Sequence, residues 1–284
     1  MKPLVSVIIS TYNRADQLRR AVFSCMRQTV WPLTEVVVVG DKCTDLTDKL
    51  MEHLACPQVL WHNLDRNWGY GPSKECGGSA AKQKALELAS GEYVGYLDDD
   101  DEFFPEHLER SVAYLEAHPE TDLVYGCSHV YRFLDPFRWK FRDAPWEPGR
   151  LRASNFVNTS EVVHRRSVLD RMERPWWRMD EVRNDWGFLL RFTAASAIVA
   201  HLSHVAATQH IRLRDTLVFH EQRARKRRRP RKELSQLPPA KAGGLHLDRR
   251  GLVLGSDRHN RPIDCGPARD VHRANMVGVI GEPA

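Results

Sequence analysis

The stretch "GEYVGYLDDDDEFFPEHLE", residues 91–109, decides how this chain is read. An aromatic, strand-like run enters four consecutive aspartates, Asp98 to Asp101, and then steps through Pro105 into a helical pattern. Four adjacent carboxylates repel one another, and a short solvated turn has no need of them. Three occupants fit beside them: a metal, a basic side chain, or only water. In an extended strand end, alternate side chains share a face. Asp98 and Asp100 would then converge on one side, with Asp99 and Asp101 on the other. Paired carboxylates suit a hard divalent ion, Mg²⁺ or Mn²⁺, with phosphate oxygens completing its shell. A solvated acidic turn or a charged helix N-terminus is the competing reading.

Upstream, "LVSVIIS" (4–10), "EVVVVGD" (35–41) and "QVLWHN" (58–63) are short strand-like runs, and "EYVGYLD" (92–98) makes a fourth. Helical patterns lie between them. Leu18, Val22, Cys25 and Met26 recur at helical spacing behind Asn13 as a cap, Thr44 or Asp45 starts a second helix, and "SAAKQKALELA" (79–89) is a third. Strands alternating with helices predict an α/β fold with a mainly parallel sheet and right-handed crossovers. Such sheets bind ligands beyond the carboxyl ends of their strands. Tyr12, Asp41 and the aspartate run all fall there, on one rim.

From about 128 to 160 the pattern loosens into a meander or a loop over the site, and "SVLDRM" and "NDWGFLLRFTAA" read as later helices. Beyond 221 periodicity fails, and residues 221–284 read as a basic, weakly ordered tail. The net charge of +5 is local: "RARKRRRPRK" (223–232) holds eight basic residues, and the remainder carries −3. That run suits anionic membrane, an acidic carrier or non-specific electrostatics rather than specific nucleic acid. Cys25, Cys43, Cys56, Cys76, Cys127 and Cys265 form no CxxC pair, which suits free thiols in a reducing compartment. The first apolar run is too short for a secretory leader. A cytoplasmic protein is expected, with peripheral membrane contact open to it. Neither GxGxxG nor GxxxxGK[ST] follows the first strand, which argues against Rossmann dehydrogenases and P-loop enzymes.

Five blocks in order resemble the family 2 glycosyltransferases, which have the GT-A fold. They are "VSVIISTYNRADQLRRAVFSCMRQT", "EVVVVGDKCTD", "GGSAAKQKALELASGEYVGYLDDDDEFFPEHL", "NFVNTSEVVHRRSVL" and "MDEVRNDWGFLLRF", covering about residues 3–215. The resemblance implies a catalytic domain over 1–220, with a nucleotide-sugar half (1–127) and an acceptor half (128–220). It implies a nucleotide-sugar donor, most often a UDP-sugar, and a divalent metal, Mn²⁺ or Mg²⁺, on the DxD motif. Ser10, Thr11 and Tyr12 would line the nucleoside pocket, and Asp41 would contact base or ribose. Lys82 would reach the base or a phosphate, or sit as a surface lysine. Asp98 and Asp99 map to donor contacts, and Asp98 and Asp100 to the metal. The family's commoner donor loop has two aspartates before Gly-Ser, whereas here Gly40 precedes Asp41.

A sugar hydroxyl needs a base to become a nucleophile. The resemblance assigns that role to Asp185 in "RNDW", with Asn184 in place of a glutamate; either residue would also serve as a helix N-cap. A single in-line displacement would invert the anomeric centre. Asn158, Thr159 and Trp186 are implied on the acceptor side, and the acceptor would be a glycan, a lipid-linked molecule or a small molecule. Trp176 and Trp177 either stack on an acceptor or pack, and His210 either approaches the metal or is structural. The rival functions are a nucleotidyltransferase acting on a sugar phosphate, and a non-catalytic sugar-nucleotide or RNA-binding module.

Overall fold

The computed structural model describes residues 2–68, 78–132, 140–179 and 184–211. The chain divides into two units, Met1–Arg228 and Arg229–Ala284, and every described residue lies in the first. The expected basic tail, 221–284, lies outside the described residues.

The first half is a set of strand–helix repeats. Strand β1 (Val5–Thr11) leads to α1 (Ala15–Met26), β2 (Thr34–Gly40) to α2 (Thr47–Leu54), β3 (Val59–Asn63) to α3 (Ser79–Leu88), and then β4 (Tyr93–Tyr96) follows. These strands lie in the order β3-β2-β1-β4, all parallel. The valine run explains the placement. Val37 and Val39 enter one core cluster with Ile8, Val94 and Tyr96, while Val36 and Val38 enter the opposite one with Val7 and Ile9. Strands covered on both faces need continuous apolar sequence, and each buried Val or Ile contributes about 1.5–3 kcal/mol.

The second half changes character. After the two-residue β5 (Glu102–Phe103) comes α4 (His107–Ala117), the helix expected past Pro105. Then follow β6 (Leu123–Arg132), β7 (Lys140–Arg142), the short α5 (Pro148–Ala153), β8 (Val162–Arg165), α6 (Asn184–Ala194) and β9 (Val199–Ile211). The sheet continues β4-β8-β6-β9-β5, with β7 on β6. β8 is antiparallel to both β4 and β6, and β9 runs parallel to β6. The α/β expectation therefore holds, and its parallel character belongs to the first half. The loosened stretch near 128 is the second part of the long strand β6, and "SVLDRM" is a 3₁₀ turn, Arg166–Arg171, rather than an α-helix.

Candidate active site

Thr11 pairs with Gly40 and Ile8 with Tyr96, so β1, β2 and β4 end on one side of the sheet. Just beyond them is a pocket of about 260 Å³. Ser10, Thr11, Tyr12, Asp41, Lys82, Asp98, Asp99, Asp100 and Asp185 all line it, together with Arg14 and Gly78. The expected rim exists, and the sequence-predicted donor, metal and base positions meet there.

The aspartate run is not extended. β4 ends at Tyr96, and the Asp101 amide donates to the Asp98 carbonyl at 3.0 Å, closing a turn. Strand alternation therefore does not apply, and the four carboxylates diverge differently. Asp98 lies 3.2 Å from the Lys82 ammonium. Asp99 is buried, accepting from the Thr11 hydroxyl and the Arg14 guanidinium, each at 2.7 Å. Asp100 takes a longer contact from Arg14, 3.3 Å. Asp101 turns away from the pocket, accepting from the Ser160 hydroxyl at 2.7 Å and the His210 amide at 3.3 Å. Burial raises the Asp99 carboxyl, and Arg14 and Thr11 pull against that rise. Asp101 is pushed well above the usual carboxylate range by burial and by its neighbours Asp98 and Asp100.

Basic side chains thus answer part of the question that four adjacent carboxylates raise. Among the described residues, Arg14 and Lys82 set two positive charges against Asp98, Asp99, Asp100 and Asp185. Asp98 and Asp100 keep 34% and 19% of their side chains exposed in the pocket, whereas Asp99 and Asp101 are turned to interior partners. Two partly open carboxylates facing one pocket fit a hard dication.

Asp185 arrives from the other half of the chain. It sits in the first turn of α6, and its carboxylate accepts from Lys82 Nζ at 2.8 Å. The N-cap reading gives way at that residue: Asn184 Oδ1 accepts from the Asp185 amide at 2.8 Å, while the Asp185 side chain reaches across to α3. Lys82 is buried, and its ammonium also lies 4.7 Å from the centre of the Trp177 ring. Burial alone would lower this ammonium, but Asp185 and Asp98 outweigh it and hold it above its usual range. Lys82 is therefore not a surface lysine.

The packing around the loop after β2 explains its departure from the commoner pattern. A Cβ built at Gly40 would lie 2.5 Å from Trp61 and 2.7 Å from Asn63 Oδ1. The Asn63 amide fills that space and clamps Cys43, accepting from its N–H at 2.8 Å and donating to its carbonyl at 3.0 Å. Asp41 accepts from the Trp68 amide at 2.8 Å. Asn13 does not cap α1. It adopts positive φ and accepts from the Thr44 amide at 2.7 Å, while Asp45 takes the first amides of both neighbouring helices, Ala15 and Thr47.

The residues expected on the acceptor side do not join this pocket. Asn158 forms a capping box with Glu161, Thr159 is buried, and the Trp186 indole donates to the Leu151 carbonyl at 2.6 Å. Trp186 instead lines a separate groove of about 700 Å³ beside Arg152 and Arg178. Trp176 and Trp177 are packing residues, Trp177 stacking on Phe188 at 4.2 Å. His210 lies 3.2 Å from Glu102, on the Asp101 side of the turn. Sequence reasoning missed Arg14, although it stands in "TYNR", and it missed Ser160, whose hydroxyl accepts from the Asp98 amide at 3.1 Å. No local pattern announces Ser160.

Among solved structures, the chain resembles the mannosyltransferase PcManGT from Pyrobaculum calidifontis, a complex with GDP-Man and Mn²⁺, with TM-score 0.58 and 21% identity over 79% of this chain and 61% of that one. It also resembles residues 1–349 of S. aureus TarS in complex with UDP, with TM-score 0.54 and 22% identity over 78% of this chain and 63% of that one. The architecture is thus that of the GT-A glycosyltransferases. The sequence profile of "Glycosyl transferase family 2" matches residues 6–174, more than half of the chain, and the chain belongs to that family. Similar curated proteins include an uncharacterised glycosyltransferase of Methanocaldococcus jannaschii, 28% identical over 50% of each chain. Another is TuaG of Bacillus subtilis, assigned by name to teichuronic acid biosynthesis, 34% identical over 40% of this chain and 42% of that one. The chain spans half or less of the length of these two relatives.

Proposed function

We propose that this protein is an inverting glycosyltransferase that moves a hexose from a nucleoside-diphosphate donor, UDP-linked in the first instance, to an acceptor hydroxyl. The Lys82 bridge carries the reading. One ammonium contacts both Asp98, at 3.2 Å, and Asp185, at 2.8 Å, so a phosphate-side carboxylate and a candidate base share one cleft.

In this reading Ser10, Thr11, Tyr12 and Asp41 hold the nucleoside, and Asp99, fixed by Thr11 and Arg14, forms the inner wall. A Mn²⁺ or Mg²⁺ ion on Asp98 and Asp100 would supply charge neutralisation for the departing diphosphate. Asp185 takes the proton from the acceptor hydroxyl as its oxygen attacks the anomeric carbon. The bond to the diphosphate breaks on the opposite face, and its electron pair leaves with the nucleoside diphosphate. Lys82 holds the Asp185 carboxylate in place until the acceptor arrives. The acceptor half, 128–220, would take a glycan, a lipid-linked molecule or a small molecule.

The complexes of TarS with UDP and UDP-GlcNAc, and of PcManGT with GDP-Man and Mn²⁺, support a nucleotide-sugar donor. No described helix is long and apolar enough to cross a membrane, and a cytoplasmic site of action with peripheral contact through 223–232 is part of the proposal. The test is a screen of sugar nucleotides with and without Mn²⁺, scored by nucleoside diphosphate release. Release from at least one UDP-hexose, dependent on the ion, is expected. Pyrophosphate as product would favour the nucleotidyltransferase, and no turnover of any donor with any acceptor would overturn the enzyme reading.

A further inference from the structure

Away from the cleft, Cys127 on β6, His201 on β9 and Asp143 just after β7 bring their side chains together. Cys127 Sγ lies 3.6 Å from His201 Nε2, and the same nitrogen lies 3.2 Å from Asp143 Oδ1. All three ligating atoms fall within 4.8 Å of one another. This is not the geometry of a thiol–imidazole–carboxylate relay, which would use both ring nitrogens in series. Here sulfur and oxygen approach one nitrogen, so the three atoms surround a common point.

From these positions we infer a second metal site, for a borderline-soft divalent cation of the zinc class, separate from the hard-ion position at Asp98 and Asp100. At bond lengths of about 2.3 Å to sulfur and about 2.1 Å to nitrogen and oxygen, a tetrahedron has an S–N edge of about 3.6 Å and an N–O edge of about 3.4 Å. The observed 3.6 and 3.2 Å are close to those edges. One thiolate, one carboxylate and one neutral imidazole would neutralise a dication, and thiolate with imidazole selects zinc over magnesium or manganese.

The surroundings hold the three groups in place. The β6–β9 register breaks on either side of Cys127, and such irregularities re-aim side chains. Tyr125, the register partner of His201, packs against its imidazole with ring centres 4.9 Å apart. The Tyr125 hydroxyl donates to the carbonyl of Ala144, next to Asp143. Cys127 is buried, whereas the Asp143 side chain is 48% exposed, so an ion can enter and a fourth ligand can be water. Burial, with Asp143 beside it, pushes the Cys127 thiol up to about 12. Loading therefore replaces the thiol proton with the metal: the S–H bond breaks, a sulfur–metal bond forms and the proton passes to solvent.

The test is Co²⁺ titration of the full-length, chelator-stripped protein, followed by sulfur-to-cobalt charge-transfer absorption, with Zn²⁺ competition. Charge transfer requires a thiolate, so cobalt held only by the aspartate cleft gives none. One equivalent of absorbing Co²⁺, displaced by Zn²⁺, is expected in the wild type, and Cys127→Ser should abolish the band. Asp143→Asn, at an exposed position and with the thiol kept, covers the case in which Cys127→Ser fails to fold. It should weaken Co²⁺ by at least the 10- to 100-fold that loss of an outer-shell partner costs. Absence of the band in the wild type would mean a hydrogen-bonded cluster only. An undiminished band in Cys127→Ser, or unchanged affinity in Asp143→Asn, would place the metal on other groups. Each of these outcomes overturns the site.

Discussion

The two halves of the sheet deliver groups to the cleft in different ways. In the parallel half, strand ends do the work: Thr11 closes β1, Asp41 follows β2, and Asp98 comes two residues after β4. In the mixed half, side chains reach the same place through buried polar links. Ser128 on β6 donates to Glu161, Glu161 shares a capping box with Asn158, and Ser160 ties down both Asp98 and Asp101. The first half presents the strand-end groups, and the second half clamps the aspartate turn and adds Asp185 to the pocket.

That division can be broken experimentally, beginning where the effect is largest. Asp185→Asn should lower turnover by roughly 10²- to 10⁴-fold, the usual contribution of a general base, while circular dichroism and Tm stay near wild type. A loss under tenfold would reduce the second half to scaffolding. Trp177→Ala removes the ring between Lys82 and Phe188 and should cost about 3–5 kcal/mol in urea unfolding. A cost below 1 kcal/mol would mean that the two halves do not depend on this packing.

Ser160→Ala separates clamping from chemistry. It leaves the buried Asp101 short of a donor, and should cost about 1–3 kcal/mol and slow donor turnover together. Lost stability with unchanged turnover would sever the clamp from the site.

The smallest effect is a pH slope. Glu161 is raised to about 7 from 4.5, chiefly by burial, so the fold favours its protonated form. That contribution is complete below pH 4.5 and is lost as pH rises through 7. His164 works the opposite way. Burial lowers it to about 4 from 6.5, so its contribution is present above 6.5 and is lost as pH falls toward 4. Glu161→Gln should therefore flatten the decline of Tm between pH 5 and 8 and leave intact the acid limb, to which the buried His164, His204 and His107 contribute. An unchanged slope above pH 5 would remove Glu161 from the clamp.

How much could be read from sequence follows the same division. The valine run, the helical spacing of α1 and the apolar strand leading into the aspartates each satisfy one local rule, and their placement follows from parallel-sheet logic. β9 was illegible because His201 and His204 interrupt its apolar run and its register with β6 breaks twice, so no period of two survives. The orientation of the aspartates is not legible in the sequence because it depends on a turn closed from Asp101 to Asp98 and on Ser160, 59 residues beyond Asp101. Asp185 stands out only through family resemblance, and its ion pair with Lys82 spans 103 residues that no local pattern connects.

The crowding at Gly40 bears on how such a loop changes over time. An aspartate introduced there alone would press its Cβ into the Trp61 ring, which its own indole N–H anchors to Asp48 at 2.9 Å. Trp61 and Asn63 would have to shrink or move first, and each alone would loosen the Cys43 turn or open a void. Installing the aspartate of the commoner loop is therefore blocked one substitution at a time, and calls for the three positions to be exchanged as a set.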